Sequence, residues 1–290
     1  MTRLKEGDID GVTARLDDYD TRLRRMTGAS IRQIACRGAG VDEALIINLL
    51  DQVRIAAVPV TSGLGVIAGF SGTVAAIVSH LGFETFVTES RDDAGIAEGS
   101  ERGADVLMLA DDDRFVAISP GGKQLTDNSQ ATAQGFVAGL ELMKGGLMGE
   151  SVLVLGCGPV GAAGARALIG RGASVAICDI RQKRALAALR EIGQDAPDRI
   201  RVEDTCHTVL ERYDLIFDAT NVGSFIGPAH LTPHTMVAAP GMPCGLTPEA
   251  MAENQDRVLH DVLEIGTATM AVQAAAKLAS NAKTTKADRG

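Results

Sequence analysis

Tryptophan is absent, and aromatic residues make up only 3% of the chain, two tyrosines and seven phenylalanines in 290 residues. Stacking platforms for single-stranded nucleic acid need aromatic faces, so this composition argues against that partner. Basic charge is also short. Twenty-eight Lys and Arg stand against 37 Asp and Glu, a formal net charge of −9 with a pI near 5.1, which disfavours any polyanion. The five histidines form no H-E-x-x-H, and Pro233 between His230 and His234 spoils a helical ligand face, so no metal site is expected. Five cysteines (Cys36, Cys157, Cys178, Cys206, Cys244) are scattered, odd in number and without C-x-x-C, and read as reduced thiols. No uninterrupted apolar run is long enough to span a bilayer, and the first ten residues, MTRLKEGDID, contain no signal-peptide core. The expectation is a cytoplasmic protein with no membrane contact.

Apolar residues are plentiful, at 46%, and the length suggests more than one domain. The clearest stretch runs from Val152 to Asp179. An apolar strand, Val152 to Leu155, turns through Gly156-Cys157-Gly158-Pro159-Val160-Gly161 into an Ala-rich helix. The chain breaks at Gly170 to Gly172, rises again as Ser174 to Cys178, and ends at Asp179. Strand, glycine turn, helix, strand and then an acid is the context that gives G-x-G-x-x-G its meaning as a dinucleotide-binding turn. Gly156 permits the tight turn, Gly158 lets a pyrophosphate reach the backbone, and Gly161 lets the helix pack on the strand. Free N–H groups and the dipole at the helix start favour phosphate there. Pro159 sits where a missing N–H costs little. Asp179 is placed to bind both ribose hydroxyls and to repel a 2′-phosphate, which selects NAD, a preference weakened by Arg181 nearby. Cys157 reads as a small filler of the turn rather than a nucleophile.

Residues 1–55 lack strand alternation. Ile9, Val12 and Leu16 recur at helical spacing, and Asp42 opens a second helix, so a helical N-terminal segment is expected. Arg22, Arg24 and Arg25 cluster before Gly28, either as a solvated helix end or as an anchor for a substrate carboxylate or phosphate. From residue 56 strands and helices alternate. Val58-Pro59-Val60 ends in Thr61-Ser62-Gly63, Phe83 to Thr88 is a second strand, and Ala104 to Ala110 is a third, ending in Asp111-Asp112-Asp113. Phe115 to Ile118 adds an edge strand, and Ser129 to Lys144 is a connecting helix. Beyond Asp179 come a charged helix, the strand Leu215 to Thr220, the strand Met236 to Ala239 ending in Pro240-Gly241, and a last helix from Glu264. The fold class is therefore α/β. The expected parts are the helical segment 1–55, a small parallel α/β substrate domain with its connecting helix over 56–148, a Rossmann NAD-binding domain over 149–277 and a flexible tail over 278–290.

Ligands of such sheets sit at the carboxyl ends of the strands. That rule selects Thr61, Ser62, Gly63 and the Asp111–Asp113 run in the small domain. In the other it selects the Gly156–Gly161 turn, Asp179, Ala219-Thr220-Asn221, Pro240 and Gly241, and Ile180 and Arg181 beside Asp179 are further cofactor candidates. A cleft between the domains would bring the two sets together. The small domain's strand ends carry hydroxyls and carboxylates but no Lys or His, which suits an amine better than a carbonyl substrate.

Several blocks occur in one order and spacing: Arg24-Arg25-Met26-Thr27-Gly28, Val58-Pro59-Val60-Thr61-Ser62-Gly63, Leu81-Gly82-Phe83, Met108-Leu109-Ala110-Asp111-Asp112, the Gly156–Gly161 turn and Glu264-Ile265-Gly266-Thr267-Ala268. Over residues 20–271 the chain resembles the PylD family, the pyrrolysine-forming dehydrogenases. The resemblance implies a cytosolic homodimer that oxidises the terminal amine carbon of (3R)-3-methyl-D-ornithyl-N6-L-lysine with NAD. Hydrolysis to a semialdehyde with loss of ammonia then allows ring closure. It makes Asp111 or Asp112 the carboxylate that holds the ammonium and takes its proton, unless the run is a solvated turn. Thr61, Ser62, Gly63, Asn128 and Arg25 become substrate contacts. The alternatives are a helix N-cap for Thr61 and Ser62 and a turn residue for Asn128. Thr220 and Pro240 flank the nicotinamide or merely pack the strand ends, and Ile265 adds a cofactor contact. Two other readings remain: another two-domain NAD(P)-dependent dehydrogenase, whose site would usually carry a Lys, and an NAD sensor without turnover.

Overall fold

A computed structural model describes residue 4 and residues 6–121, 123–206 and 208–287. These fall into two compact units. The first holds residues up to 23, 29–135 and those from 263 on, and the second holds 24–28 and 136–262.

The first unit opens with helices α1 (Glu6–Ile9), α2 (Leu16–Thr27, whose last turn belongs to the second unit), α3 (Ile31–Ala39) and α4 (Glu43–Ile47). Ser30 starts α3 through a capping box. Its hydroxyl accepts from Gln33 N at 3.2 Å, and Gln33 Oε1 accepts from Ser30 N at 2.9 Å. Gly40, at φ +68°, ends the helix in the left-handed conformation that glycine tolerates. Then follow β1 (Arg54–Val58), α5 (Phe70–His80), β2 (Glu84–Val87), α6 (Asp92–Glu101), β3 (Val106–Ala110), β4 (Phe115–Ser119), β5 (Gln124–Asp127) and α7 (Asn128–Lys144), which ends in the second unit. The sheet order is β2-β1-β3-β4-β5. The expected parallel domain is mixed. β1, β2 and β3 run parallel, whereas β4 and β5 extend the sheet as antiparallel hairpin strands, because the short Asp111–Arg114 turn cannot make a crossover.

The second unit contains β6 (Ser151–Leu155), α8 (Pro159–Gly170), β7 (Ser174–Cys178), α9 (Gln182–Ile192), β8 (Ile200–Val202), β9 (Leu215–Asp218), β10 (Met236–Ala239), α10 (Pro248–Glu253) and β11 (Val258–His260). Its strands are all parallel, in the order β11-β10-β9-β6-β7-β8. Counted from β6 as the first strand this is 3-2-1-4-5-6, the doubly wound order, with the topological switch between β6 and β9. Leu153, Leu155, Ile216 and Val237 are part of its buried core, and full burial of such a side chain contributes roughly 1.5–3 kcal/mol.

The last helix, α11 (Glu264–Ala287), groups with the first unit and packs on α3, α5, β4 and β5, not with the Rossmann sheet as the sequence suggests. Glycine explains the docking. A Cβ on Gly38 would stand 2.9 Å from Gly135 Cα, and one on Gly135 would stand 2.6 Å from Ile265 Cγ2, so α3, α7 and α11 approach closely. α11 also runs through 278–287, which composition marks as a flexible tail. That stretch holds no Pro or Gly to stop a helix, and residues 288–290 lie outside the described residues. Among the described residues no helix is long and apolar enough to cross a membrane.

Candidate functional site

The glycine turn at the end of β6 has the geometry its residues predict. Gly156 lies at φ +83°, and its N–H donates to Cys178 O at 2.8 Å. A Cβ on Gly161 would run into the Gly156 carbonyl oxygen, so helix and turn close only over glycine. Gly158 is the N-cap residue of α8, with Pro159 at the helix start and no side-chain cap. A Cβ on Gly158 would meet nothing within 4 Å, so the space beside its backbone is open. The first N–H groups of a helix have no partner of their own, and here Val160 and Gly161 carry them.

Asp179 follows β7. Its Oδ2 accepts Cys157 N–H at 2.8 Å, and its Oδ1 accepts Arg181 N–H at 2.7 Å. The neighbouring Ile180 is 87% exposed, an apolar side chain with no apolar cover beside the acid. Arg181 is the N-cap residue of α9.

The strand ends across the switch point are held by an acid at the end of β9. Asp218 is fully buried. Its Oδ1 accepts Thr220 N–H at 3.1 Å and Thr220 Oγ1–H at 2.7 Å, and its Oδ2 accepts Gly245 N–H at 3.1 Å. Burial nevertheless pushes its carboxyl up to about 6. Ala219 N–H donates to Leu155 O at 2.9 Å, and Gly241 N–H to Asp218 O at 3.0 Å, which fixes the Ala219-Thr220 and Pro240-Gly241 segments.

In the first unit the loop after β1 is gripped by two carboxylates. Thr61 donates from its N–H to Asp92 Oδ1 at 2.7 Å and from its hydroxyl to Asp92 Oδ2 at 2.5 Å. Asp92 itself stands at φ +54°, and those hydrogen bonds hold its carboxyl below the usual range. Leu64 N–H donates to Asp112 Oδ2 at 2.6 Å, and a side chain on Gly63, at φ +73°, would run into that carboxylate. Thr61, Gly63, Asp92 and Asp112 thus meet, while Ser62 is exposed in the same loop. The N-cap alternative for Thr61 and Ser62 fails, because α5 starts only at Phe70 with Gly69 as its N-cap residue.

Asp111 is engaged differently. Its Oδ1 accepts Asp113 N–H at 2.9 Å and Arg114 N–H at 2.7 Å inside the β3–β4 turn, and these bonds lower its pKa. Asn128 is the first residue of α7, buried, with Oδ1 lacking a hydrogen-bond partner and Thr132 and Gly266 close by. Arg25 makes an exposed ion pair with Asp256 at 2.7 Å, a contact worth little in water and easily exchanged. Ile265 is fully buried in the first unit beside Gly135.

Two features escaped the sequence. Asp92 lies 31 residues from the Thr61 it holds, and only the pairing of β1 with β2 brings them together. Cys178 and Cys206, taken as thiols, form a disulfide with Cα atoms 5.6 Å apart, leaving Cys36, Cys157 and Cys244 free. The end of β7 and the segment after β8 become neighbours only through the strand order. Burial raises the free thiols, Cys157 to about 12, which fits a filler of the turn better than a nucleophile.

A family model described as "Pyrrolysine biosynthesis protein PylD, N-terminal domain" matches residues 8–125. Pyrrolysine synthase of Methanosarcina barkeri is 28% identical over 280 residues, covering 93% of this chain and 97% of that protein. Pyrrolysine synthase of Methanosarcina acetivorans is 27% identical, covering 93% and 98%. Among solved structures, quinate dehydrogenase from Corynebacterium glutamicum in complex with NAD matches with a TM-score of 0.53 and 17% identity, over 79% of this chain and 99% of that one. Shikimate dehydrogenase from Aquifex aeolicus matches with a TM-score of 0.53 and 14% identity, over 77% and 92%. At those identities the likeness is one of fold.

Proposed function

Because the chain belongs to the PylD family of pyrrolysine biosynthesis proteins, we propose that it oxidises the terminal amine of (3R)-3-methyl-D-ornithyl-N6-L-lysine with NAD, releases ammonia and yields L-pyrrolysine. The observation that carries the redox part is the open space beside Gly158 at an uncapped helix start, together with Asp179 fixed next to it by Cys157 N–H. Those residues fit a dinucleotide. The N–H groups at the start of α8 hold the pyrophosphate, Asp179 the adenosine ribose hydroxyls, and exposed Ile180 offers an apolar face to the adenine. Thr220 and Pro240 line the nicotinamide end. NAD, when bound, accepts the hydride from the amine-bearing carbon.

The chain's residues hold and deprotonate the substrate. An alkylammonium has a pKa of about 10.4, and its nitrogen can assist hydride loss only after giving up a proton. Asp112, mounted against the Thr61–Leu64 loop, is the group we assign to the ammonium and its proton. Asp111 shapes the turn that presents it, its own carboxylate being engaged by the Asp113 and Arg114 N–H groups of that turn. Thr61, Ser62 and Asn128 supply polar contacts along the substrate, and Arg25 is available for a carboxylate. Loss of hydride from the deprotonated amine leaves an imine, which water hydrolyses to the aldehyde and ammonia, and the ornithine α-amine condenses with that aldehyde, expelling water, to close the ring. The expected setting is a homodimer in the cytoplasm.

The test is NADH absorbance with purified protein, NAD and the methylornithyl-lysine substrate, with mass spectrometry of the product. NADH together with a pyrroline-bearing product is the expected result. NAD binding without NADH from this substrate or from an amine panel would replace the proposal with the sensor reading, and turnover of another amine would replace the substrate.

A further inference from the structure

Asp218 joins two segments of the second unit from a buried position. One carboxylate oxygen takes both the N–H and the hydroxyl of Thr220, and the other takes the N–H of Gly245. Its backbone carbonyl takes Gly241 N–H at 3.0 Å, so both segments after β9 and β10 converge on this one residue. The segments are then zipped beyond it: Ser224 N–H donates to Cys244 O at 3.2 Å, and Phe225 and Ile226 N–H both donate to Gly245 O at 2.8 Å. Side chains at Gly241 and Gly245 would collide with Thr220 O and with the Asp218 carboxylate, so the approach is as close as backbone permits. Burying an ionised carboxylate is unfavourable, and none of the hydrogen bonds to it comes from a charged donor. Such a group is a poor choice for stability alone. A neutral amide could serve one of the two segments but not both, because its NH2 would face an N–H donor.

We propose that Asp218 is a positioning residue for the dinucleotide, setting Thr220 and the Pro240-Gly241 segment against its nicotinamide end. This rests on the dinucleotide reading of the glycine turn. It assigns Asp218 no contact with the cofactor. Its effect passes through Thr220 and the two segments.

The experiment is calorimetric binding of NAD and of ADP-ribose, which lacks only the nicotinamide ring, to the wild type, Asp218→Asn, Thr220→Val and Thr220→Ser. Asp218→Asn should weaken NAD about tenfold, the equivalent of one charged hydrogen bond lost, with ADP-ribose held within about twofold. Thr220→Val should weaken NAD selectively by a smaller factor, and Thr220→Ser, which keeps the hydroxyl, should restore it. Equal losses for both ligands, or no selective loss in either variant, would overturn the positioning role. If Asp218→Asn does not fold, the Thr220 pair decides alone. Wild-type protein that binds neither ligand would instead remove the dinucleotide reading, and this inference with it.

Discussion

Asp179 Oδ2 accepts the backbone N–H of Cys157 at 2.8 Å, so the acid ending β7 is clamped to the turn ending β6. The same carboxylate takes Arg181 N–H at 2.7 Å on its other oxygen. A carboxylate held by two backbone donors is oriented before any ligand arrives, and little rotamer entropy is left to lose on binding. Replacing it with Ala should weaken NAD by roughly 10–100-fold, the range for lost hydrogen bonds to a charged group. NADP should lose less or gain, because the charge that repels a 2′-phosphate is gone. Dissociation constants for both nucleotides check this, and unchanged NAD affinity would remove Asp179 from the site.

Gly161→Ala tests the turn itself. The new methyl would meet the Gly156 carbonyl oxygen, which belongs to backbone and cannot swing aside. Either α8 shifts away from β6 or the turn opens. Overpacking of this kind costs about 1–3 kcal/mol. The expected result is a lowered Tm together with loss of ADP-ribose binding. Full binding at wild-type stability would mean that the turn is looser than this geometry.

The two neighbouring acids should separate under substitution. Asp111→Asn keeps an oxygen that can accept the Asp113 and Arg114 N–H groups, and Asn suits such turns, so the effect on turnover should be small. Asp112→Asn removes the charge facing the Gly63-Leu64 backbone and, on our assignment, the partner of the substrate ammonium. Amine oxidation should fall by about 10²–10⁴, the span of general acid–base assistance, while NAD binding stays. Equal turnover in the two variants would dissolve the distinction.

Which of these relationships could be read in advance depends on their range along the chain. The Gly156–Gly161 turn and Asp179 were legible because strand, turn, helix and strand follow one another within about thirty residues, and the rule linking them is local. The Asp111 turn was legible as an alternative for the same reason. Asp92 was not, since it reaches Thr61 only through parallel pairing of strands whose order no local pattern encodes. β8, three residues long, is too short to show a period. The return of α11 to the first unit was hidden by composition, because Gly135 and Thr269 resemble any other small helical residues until they face each other. The Cys178–Cys206 bond belongs with these, as its partners depend on where β7 and β8 lie.

That bond makes its own prediction. The bridged residues are 28 apart, and closing a loop of that length in the unfolded chain is worth about 3–4 kcal/mol in the entropic account. Oxidised protein should therefore melt several degrees above reduced protein, and Cys206→Ser should remove the difference. Alkylation of the unfolded, unreduced chain should label Cys36, Cys157 and Cys244 and spare Cys178 and Cys206. Labelling of all five in oxidised protein would show free thiols there.

Two carboxyls should drive stability in opposite directions with pH. Glu98 accepts Ser90 N–H at 2.7 Å and Glu89 N–H at 3.0 Å and pairs with Arg102 at 2.8 Å. These contacts lower its pKa from 4.5 to about 2, the backbone bonds foremost. A depressed native pKa means that the unfolded chain binds the proton more readily. The stabilisation is thus complete above pH 4.5 and disappears as pH falls toward 2. For Asp218 burial raises the value from 3.8 to about 6, so the native state holds the proton more tightly. Its relative contribution is greatest below 3.8 and declines as pH rises through about 6. The Tm gap between wild type and Glu98→Gln should therefore be wide at neutral pH and close on acidification. The balance between wild type and Asp218→Asn should move toward the wild type over the same change. Melting curves from pH 3 to pH 7 on the three proteins measure both slopes, and parallel slopes for the two variants would contradict the opposite environments of Glu98 and Asp218.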